Sequence, residues 1–316
     1  MLSRDFTKSN KEYFKKNKNI LIAIAVFLLV GILVFAFGGM NGNFEVAGYN
    51  EFSITINERI AKNYGTHQRE IGEIVNSYGG KFDAVLIYGE GDNTQYIVRY
   101  MDDVDANDVI EINKLVAEKL NIEIESVSKH INVGPVAKTS DYVYTIVSIL
   151  VIITLATIFC YARYNGASAM SVLISNVLGV LGFVALSTIL RLQVGMSYFA
   201  MLVILAMLIT YFAISIFESM HKSSWLISQN YSEAIEKAVQ SSKFRMSFVS
   251  VGLLLIGLLF VLIASSTIKY ISLNLMFMAV VLLVVGLYVI PFVWSVFITR
   301  SRKREYKIKA TEIESK

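Results

Sequence analysis

Polar side chains within one long apolar segment are the first candidates for chemistry in this sequence. Residues 196–217 contain no charged side chain, and Glu218 follows directly. Tyr211 and Ser215 are four residues apart and Glu218 lies three residues further on, so a helix would present all three on one face. Thr210 in the same segment and Asn176 in the preceding apolar segment are also polar. The candidate functional polar face therefore comprises Asn176, Thr210, Tyr211, Ser215 and Glu218.

The chemistry open to this face is hydrogen bonding. A proton relay through lipid needs a group that gains and loses a proton near neutral pH, and a buried carboxylate is the usual choice because desolvation raises its pKa. No Asp, Glu, Lys, Arg or His lies well inside any apolar segment of this sequence. Hydroxyl and amide groups donate and accept hydrogen bonds, but they carry no net charge at neutral pH.

Each candidate also has a purely structural interpretation. Asn176 lies near Gly179 and Gly182, and small and amide residues of this kind favour contact between helices over ligand transport. Glu218 lies at the end of its segment, which favours a solvated carboxylate over a functional contact. The alternative partners of Glu218 are Lys222, Lys243 and Arg245.

Enzymatic catalysis has no support in the sequence. It contains no phosphate-binding loop, nucleophile elbow or metalloprotease motif. The three histidines are scattered, and the acidic stretch 102–108 lacks the glycine that a calcium loop of the EF-hand type requires. We therefore expect a protein that is not an enzyme, with no metal, no cofactor and no nucleic-acid partner.

The elements that must position the polar face are membrane helices. Of 316 residues, 55% are hydrophobic and 17% charged, and the apolar residues are concentrated in segments long enough to cross a bilayer. The first segment reads as a retained anchor, because residues 38–41 are a poor match to a signal-peptide cleavage site. The six predicted crossings are 19–39, 142–161, 167–190, 196–217, 246–264 and 270–298.

Two features of the predicted bundle, residues 141–298, need separate mention. The last crossing is longer than a straight helix needs, which predicts a tilt or a bend at Pro291. Between the fourth and fifth crossings, residues 224–242 place Ala234, Ile235, Ala238 and Val239 on one helical face. This pattern predicts an amphipathic helix lying along the cytoplasmic membrane surface.

Residues 40–140 form a separate polar domain between the first and second crossings. They contain nine Lys and Arg and sixteen Asp and Glu, a net charge of −7. Alternating apolar residues predict strands at 52–56, 83–88, 95–101 and 122–127, and apolar residues at helical spacing predict helices from 66 to 78 and from about 105 to 120. Gly79-Gly80 would end the first helix. The order strand, helix, strand, strand, helix, strand is that of a ferredoxin-like α+β domain.

The distribution of cations predicts the orientation. If the N-terminus is cytoplasmic, eighteen Lys and Arg fall on the inner side and eleven on the outer side. The positive-inside rule then places both termini in the cytoplasm and residues 40–140 outside. Residues 1–18 and 299–316 become basic cytoplasmic termini of a multi-pass protein of the cell membrane.

Several short motifs resemble those of the SecF proteins, which belong to the SecD/SecF family of the RND superfamily. Val133-Gly134-Pro135 is similar to the V-G-P that precedes the second crossing in that family. Tyr161 to Tyr164 resembles its Y-x-R-F, Phe217-Glu218 its F-D-R, and Ser232 to Ile235 its N-E-A-I. The layout of one crossing, an outer domain and five more crossings is also that of half an RND transporter.

This resemblance implies a divergent SecF-like subunit with a SecD-like partner, acting with the Sec channel on exported polypeptides by conformational change in the lipid bilayer. It also implies where a proton relay would lie. The family's N-D-T falls on Tyr211, Phe212 and Ala213, and its Arg falls on Ser241, so neither charged group is retained. The family's His-Asp pair falls near Ser175 and Asn176, and its G-x-D-F-x-G-G is echoed only by Asn43-Phe44 and Gly48.

Three functions therefore stand side by side. The first is a SecF-like accessory subunit of the protein-export machinery that lacks its own proton-carrying Asp. The second is an RND-type half-transporter of a lipid or small hydrophobic solute. The third is a membrane scaffold that transports nothing and recruits partners through its outer domain.

Overall fold

The computed structural model describes residues 2–56, 64–90, 93–101, 104–222, 231–263 and 266–298. The chain divides into two compact units. The helical unit comprises Met1–Asn41, Thr139–Gln193 and Ser197–Lys316. The inserted domain comprises Gly42–Lys138 together with Val194–Met196.

The helices and strands follow one another in this order. The helices are α1 Leu2–Gly38, α2 Phe44–Ala47, α3 Tyr64–Ser77, α4 Ala106–Leu120, α5 Thr139–Arg163, α6 Gly166–Ile189, α7 Met196–Lys222, α8 Tyr231–Ile263 and α9 Ser266–Val284. The strands are β1 Asn41–Gly42, β2 Tyr49–Ile56, β3 Lys81–Glu90, β4 Asn93–Met101, β5 Ile131–Val133 and β6 Gln193–Val194.

Five helical segments of the described chain are long and apolar enough to cross a membrane. They are Thr139–Arg163, Gly166–Ile189, Met196–Lys222, Lys237–Ile263 and Lys269–Ile298. In α1 the apolar part, Ile22–Gly38, is shorter than in these five. The protein is therefore a multi-pass membrane protein with five such helices, and the predicted first crossing, 19–39, corresponds to the shorter apolar part of α1.

Close contacts between small residues hold the helical unit together. A Cβ atom placed on Gly31 of α1 would lie 2.7 Å from the Cα atom of Ala185 in α6, so the two backbones touch. The rings of Phe183 in α6 and Tyr198 in α7 are stacked, with centroids 5.0 Å apart. Such contacts are what membrane helices rely on, because lipid provides no hydrophobic force to drive one helix against another.

The last membrane helix, for which the sequence predicts a tilt or a bend at Pro291, contains a local distortion just before that proline. Residues Val285–Val289 form a π-helical turn, and the helix then continues to Ile298. Pro291 has no N–H to donate to the carbonyl of Leu287, so the normal hydrogen bond at this point is absent. A wider turn directly before the proline is a usual response to that loss.

The surface helix predicted over residues 224–242 is not a separate element. Residues 223–230 lie outside the described part of the chain, and from Tyr231 one helix runs without interruption to Ile263. The sequence between Ser242 and Met246 contains neither glycine nor proline, so nothing there ends a helix. Ala238 and Ser242 therefore belong to the same helix as the fifth predicted crossing.

The inserted domain contains a four-stranded sheet in the order β3-β4-β2-β5, with every neighbouring pair antiparallel. The helices α3 and α4 fall between its strands in the predicted order, and Gly79 at a φ of +81° follows the end of α3. The core is formed by one side of the sheet and by both helices: Phe52, Ile54, Ile71, Val75, Tyr96, Val98, Tyr100, Ile112, Val116, Ala117 and Val127.

The last predicted strand of this domain, residues 122–127, is wrong. Residues Ile124–Ser126 form a short 3-10 helix, and the fourth strand of the sheet is Ile131–Val133. Val127 is buried and makes a single bridge to Ile54, whereas Ile124 is exposed. The alternation of apolar residues here comes from a turn that packs against the core. With only three apolar positions, the sequence pattern of such a turn is the same as that of a short strand.

Candidate functional site

A buried polar contact in the helical unit joins α6 and α7. Asn176 is fully buried, and its Nδ2 donates to Thr210 Oγ1 at 3.1 Å and to the carbonyl of Val172 at 3.0 Å. Its Oδ1 is buried and accepts no hydrogen bond from the described residues. Two of the five candidate residues therefore meet directly, as a hydrogen bond between neighbouring helices.

A second polar cluster joins α7 to α8. The carbonyl of Ser215 accepts hydrogen bonds from Ser219 Oγ at 3.0 Å and from Ser242 Oγ at 3.2 Å. The two donating hydroxyls are themselves 3.2 Å apart. Sequence reasoning missed Ser219 and Ser242, although their small hydroxyl side chains on adjoining helices were the available signal.

The polar face predicted on α7 is not one surface. Tyr211 is 47% exposed, whereas Ser215 is 8% exposed and packed inside the helical unit. Glu218 is exposed and forms an ion pair with Lys222, with Nζ and Oε1 3.6 Å apart. Helical spacing places the three residues within one arc, but the neighbouring helices cover only part of that arc.

The two positions that the motif resemblance aligns with charged groups of SecF proteins, Phe212 and Ser241, hold neutral side chains in different settings. Phe212 is fully buried, and a Cβ atom on Gly286 would lie 2.8 Å from its Cδ2 and 3.0 Å from Met246 Sδ. Gly286 lies in the π-helical turn, so Phe212 fills the space beside that turn. Ser241 is exposed, and its hydroxyl donates to the carbonyl of Ala238.

None of the buried side chains of the described residues is Asp, Glu, Lys, Arg or His. The buried polar residues are Ser168, Ser171, Ser175, Asn176, Ser187, Thr188, Ser215, Ser242, Ser250, Ser272, Asn274 and Ser295. Within the same described part, no group of three or more His, Cys, Asp or Glu side chains is placed to hold a metal ion. The buried side chains of the described helical unit can thus fix helix positions through hydrogen bonds, and none of them is a carboxylate, imidazole, ammonium or guanidinium group.

Two motif segments meet within the inserted domain. Gly48 has a φ of +85°, and a Cβ atom there would lie 3.0 Å from the carbonyl oxygen of Val133 and 3.4 Å from the nitrogen of Pro135. Both the backbone conformation and the close approach require glycine at this position. The echo of the family motif at Gly48 and the V-G-P motif at 133–135 are therefore parts of one contact.

Another contact within the inserted domain joins the segment just before Gly48 to Val194–Met196. Met196 N–H, at the first residue of α7, donates to Glu45 Oε2 at 2.7 Å. Glu45 N–H in turn donates to Asn43 Oδ1, and Asn43 N–H donates to the carbonyl of Val194. A carboxylate at this position accepts a hydrogen bond from a helix N–H that has no partner within the helix, and its negative charge interacts favourably with the positive end of the helix dipole. Glu45 was not predicted, because its partner is about 150 residues away in the sequence.

These features define the class of the protein. It is a multi-pass α-helical membrane protein with an α+β domain inserted after the first helix, and its buried polar groups are neutral in the part of the chain that the structure describes. Its sequence matches no protein-family profile and no curated protein.

Solved structures of SecDF have a similar fold. A SecDF crystal structure in a super-membrane-facing form has a TM-score of 0.77 over 93% of this chain, with 13% sequence identity. A SecDF from Thermus, a translocon-associated membrane protein, has a TM-score of 0.60 over 89% of this chain, with 14% identity. The chain spans 40% and 38% of the lengths of these two proteins. The protein therefore has the SecDF fold over one part of a SecDF chain.

Proposed function

We propose that this protein is a SecF-like accessory subunit of the Sec protein translocase, a divergent member of the SecD/SecF family and of the RND superfamily. The observation that carries the proposal is the fold shared with SecDF over 93% of the chain. The contact between Gly48 and Val133–Pro135 supports it, because it joins two segments that resemble family motifs. At 13% identity the likeness concerns the fold, so the role in export is our inference.

The proposed arrangement has six crossings, with α1 as the first. The apolar part of α1 ends at Gly38, and Arg191 of the loop after α6 donates to the Gly38 carbonyl at 2.8 Å, which supports a place for α1 beside α6. The excess of Lys and Arg in the termini and in the 222–245 region supports cytoplasmic termini and an outer position for residues 40–140. The antiparallel order β3-β4-β2-β5 supports a ferredoxin-like inserted domain.

In the proposed mechanism the subunit works by conformational change and catalyses no reaction. The outer domain would contact the exported polypeptide, while the helical unit would move against a SecD-like partner next to the Sec channel. The hydrogen bond between Asn176 and Thr210 and the cluster at Ser215 would keep α6, α7 and α8 in register during that movement. Because Phe212 replaces the family's acid, any proton transfer would take place in the partner.

Co-purification tests the proposal. The full chain, carrying an affinity tag and expressed at its natural level, should bring down a SecD-like chain and the Sec channel subunits from mild detergent. A tagged multi-pass protein of the same membrane with an unrelated fold is the control. Recovery of lipid or hydrophobic solute without Sec subunits would instead support the half-transporter, and recovery of neither would support the scaffold.

A matched pair of substitutions tests the mechanism. Thr210→Val keeps the shape of the side chain but removes the acceptor for Asn176 Nδ2, and an interhelical hydrogen bond of this kind contributes about 0.6–1.7 kcal/mol. We expect export of a secreted reporter to slow by roughly threefold or more at unchanged protein level. The neighbouring Tyr211→Phe removes a hydroxyl from an exposed side chain and should leave export unchanged. Equal export in both variants would contradict a moving contact at Thr210.

A further inference from the structure

The strand β3 forms one edge of the sheet in the inserted domain. It is ten residues long and pairs with β4 on one side, with one irregularity between Phe82 and Ala84. On its other side no strand of the described chain is bonded to it. The opposite edge of the sheet, β5, has only three residues. The sheet thus offers one long edge and one short edge.

The unpaired backbone groups of β3 can be assigned from its hairpin with β4. Glu90 pairs with Asn93 across the connection 91–92, and residue pairs in an antiparallel ladder alternate between bonded and non-bonded. Counting back from Glu90, the N–H and C=O groups of Gly89, Ile87 and Val85 are directed away from β4. These three outward-facing residues, one at every second position, are enough to pair with an extended chain of about six residues.

Lys81 and the irregularity between Phe82 and Ala84 protect only the start of this edge, and the rest of the strand lacks the usual protection. Natural edges carry proline, lysine or strong bulges that prevent pairing with another chain. Residues 84–88 are Ala-Val-Leu-Ile-Tyr, with neither proline nor charge. Such a run at a long edge is an aggregation hazard unless pairing with another chain is its purpose.

The acidic charge around β3 indicates what kind of chain would pair with this edge. Asp83 and Glu90 flank the apolar run, Asp92 follows, and residues 40–140 carry a net charge of −7. A second copy would bring the same acidic groups to the same edge and be repelled. An extended segment with Lys or Arg on either side of an apolar stretch complements both the charge and the backbone groups.

We propose that β3 binds an extended segment of an unfolded polypeptide as a fifth strand of the sheet, with preference for segments flanked by Lys or Arg. This inference rests on the proposed function, in which the domain faces the exported chain, and it names the conformation and charge of that substrate. Backbone pairing reads little sequence, so one edge serves many exported polypeptides in turn.

The test uses the full purified chain and fluorescent peptides. A peptide Lys-Lys-Thr-Val-Thr-Val-Thr-Lys-Lys should bind and slow hydrogen exchange of the amides of Val85, Ile87 and Gly89. The same peptide N-methylated at two consecutive central residues loses a donor on each edge and should bind about tenfold more weakly or worse. A version with Glu in place of Lys should also bind more weakly, with the difference largest at low salt.

A pair of variants tests the same edge from the protein side. Gly89→Pro removes one outward N–H without removing a side chain and should weaken peptide binding by about fivefold, whereas Gly89→Ala keeps the N–H and should bind normally. Hydrogen exchange of the β4 amides shows whether either variant still folds, and the N-methylated peptide needs no variant.

Three results would overturn the proposal: equal binding of the N-methylated peptide, exchange protection on another element, or a dimer of this chain joined through β3. Sec subunits that co-purify with a chain that fails these peptide tests would refute edge binding alone. Peptide binding without Sec subunits would refute the proposed function and leave edge binding standing.

Discussion

Replacement of Phe212 by aspartate introduces an acid at the position that the motif resemblance to SecF proteins predicts for one, and it should disrupt the helical unit. Phe212 is fully buried against Gly286 and Met246, with no polar side chain among these contacts. Loss of a buried phenylalanine costs about 3–5 kcal/mol through the cavity it leaves. An uncharged carboxyl group without a hydrogen-bond partner adds about 1–3 kcal/mol. Because total stabilities are about 5–15 kcal/mol, Phe212→Asp should lose a large part of the stability.

Cys160 provides the assay. It is the single cysteine of the chain and is buried in α5, so a thiol-reactive dye reports unfolding in detergent directly. We expect the unfolding temperature of Phe212→Asp to fall by on the order of 10 °C or more. Phe212→Leu keeps most of the apolar volume and should lose only about 1 kcal/mol. If Phe212→Asp unfolds like the natural protein, the position is hydrated and can hold a proton carrier, and our reasoning about this site is wrong.

Three further predictions concern other contacts. Gly31→Ala would push α1 away from α6 and should lower the free energy of unfolding by about 1–3 kcal/mol. In the control Gly252→Ala, the new methyl group meets no atom within 4 Å, so the unfolding curve measured by Cys160 labelling should be unchanged. Glu45→Ala removes the acceptor of Met196 N–H and should cost about 1 kcal/mol, seen as faster exchange of the Met196 amide, with a smaller effect for Glu45→Gln. Burial lowers the pKa of His130 to about 4, so the folded domain binds fewer protons than the unfolded chain. The stability of the domain should therefore fall by up to about 2 kcal/mol, allowing for solvent screening, as the pH drops from 6.5 to 4. The loss should appear as faster hydrogen exchange of β4 amides in the intact protein. A His130→Asn variant should not show this pH dependence.

The sequence was sufficient for features that depend on local periodicity. The apolar lengths of α5, α6 and α7 and the alternation at Phe52 and Ile54 each follow from a pattern within one segment. Pro291 predicted a tilt or a bend of the last membrane helix; the structure has a π-helical turn directly before it, and that form of distortion was not predicted.

The errors arose where an outcome depends on distant residues. Spacing placed Tyr211 and Ser215 on one face, but the neighbouring helices decide which part of that face is buried. Residues 122–127 alternate like a strand, yet the strand position beside β2 is taken by Ile131–Val133. Glu45 showed no local signal at all, because its acceptor role exists only when the start of α7 comes beside it.

The neutral interior restricts how this protein could take part in energy-dependent export. A proton gradient does work only through a group that changes charge, and the buried polar side chains of the described chain are Ser, Thr and Asn. Hydrogen bonds such as that between Asn176 and Thr210 can exchange partners as helices slide, but they respond to a force and do not generate one. Under the proposed function, energy would therefore reach the helical unit through contact with another chain. The proposed function therefore predicts an acid at mid-membrane depth in a co-purifying partner. Its replacement by the amide should stop export without reducing the amount of the complex.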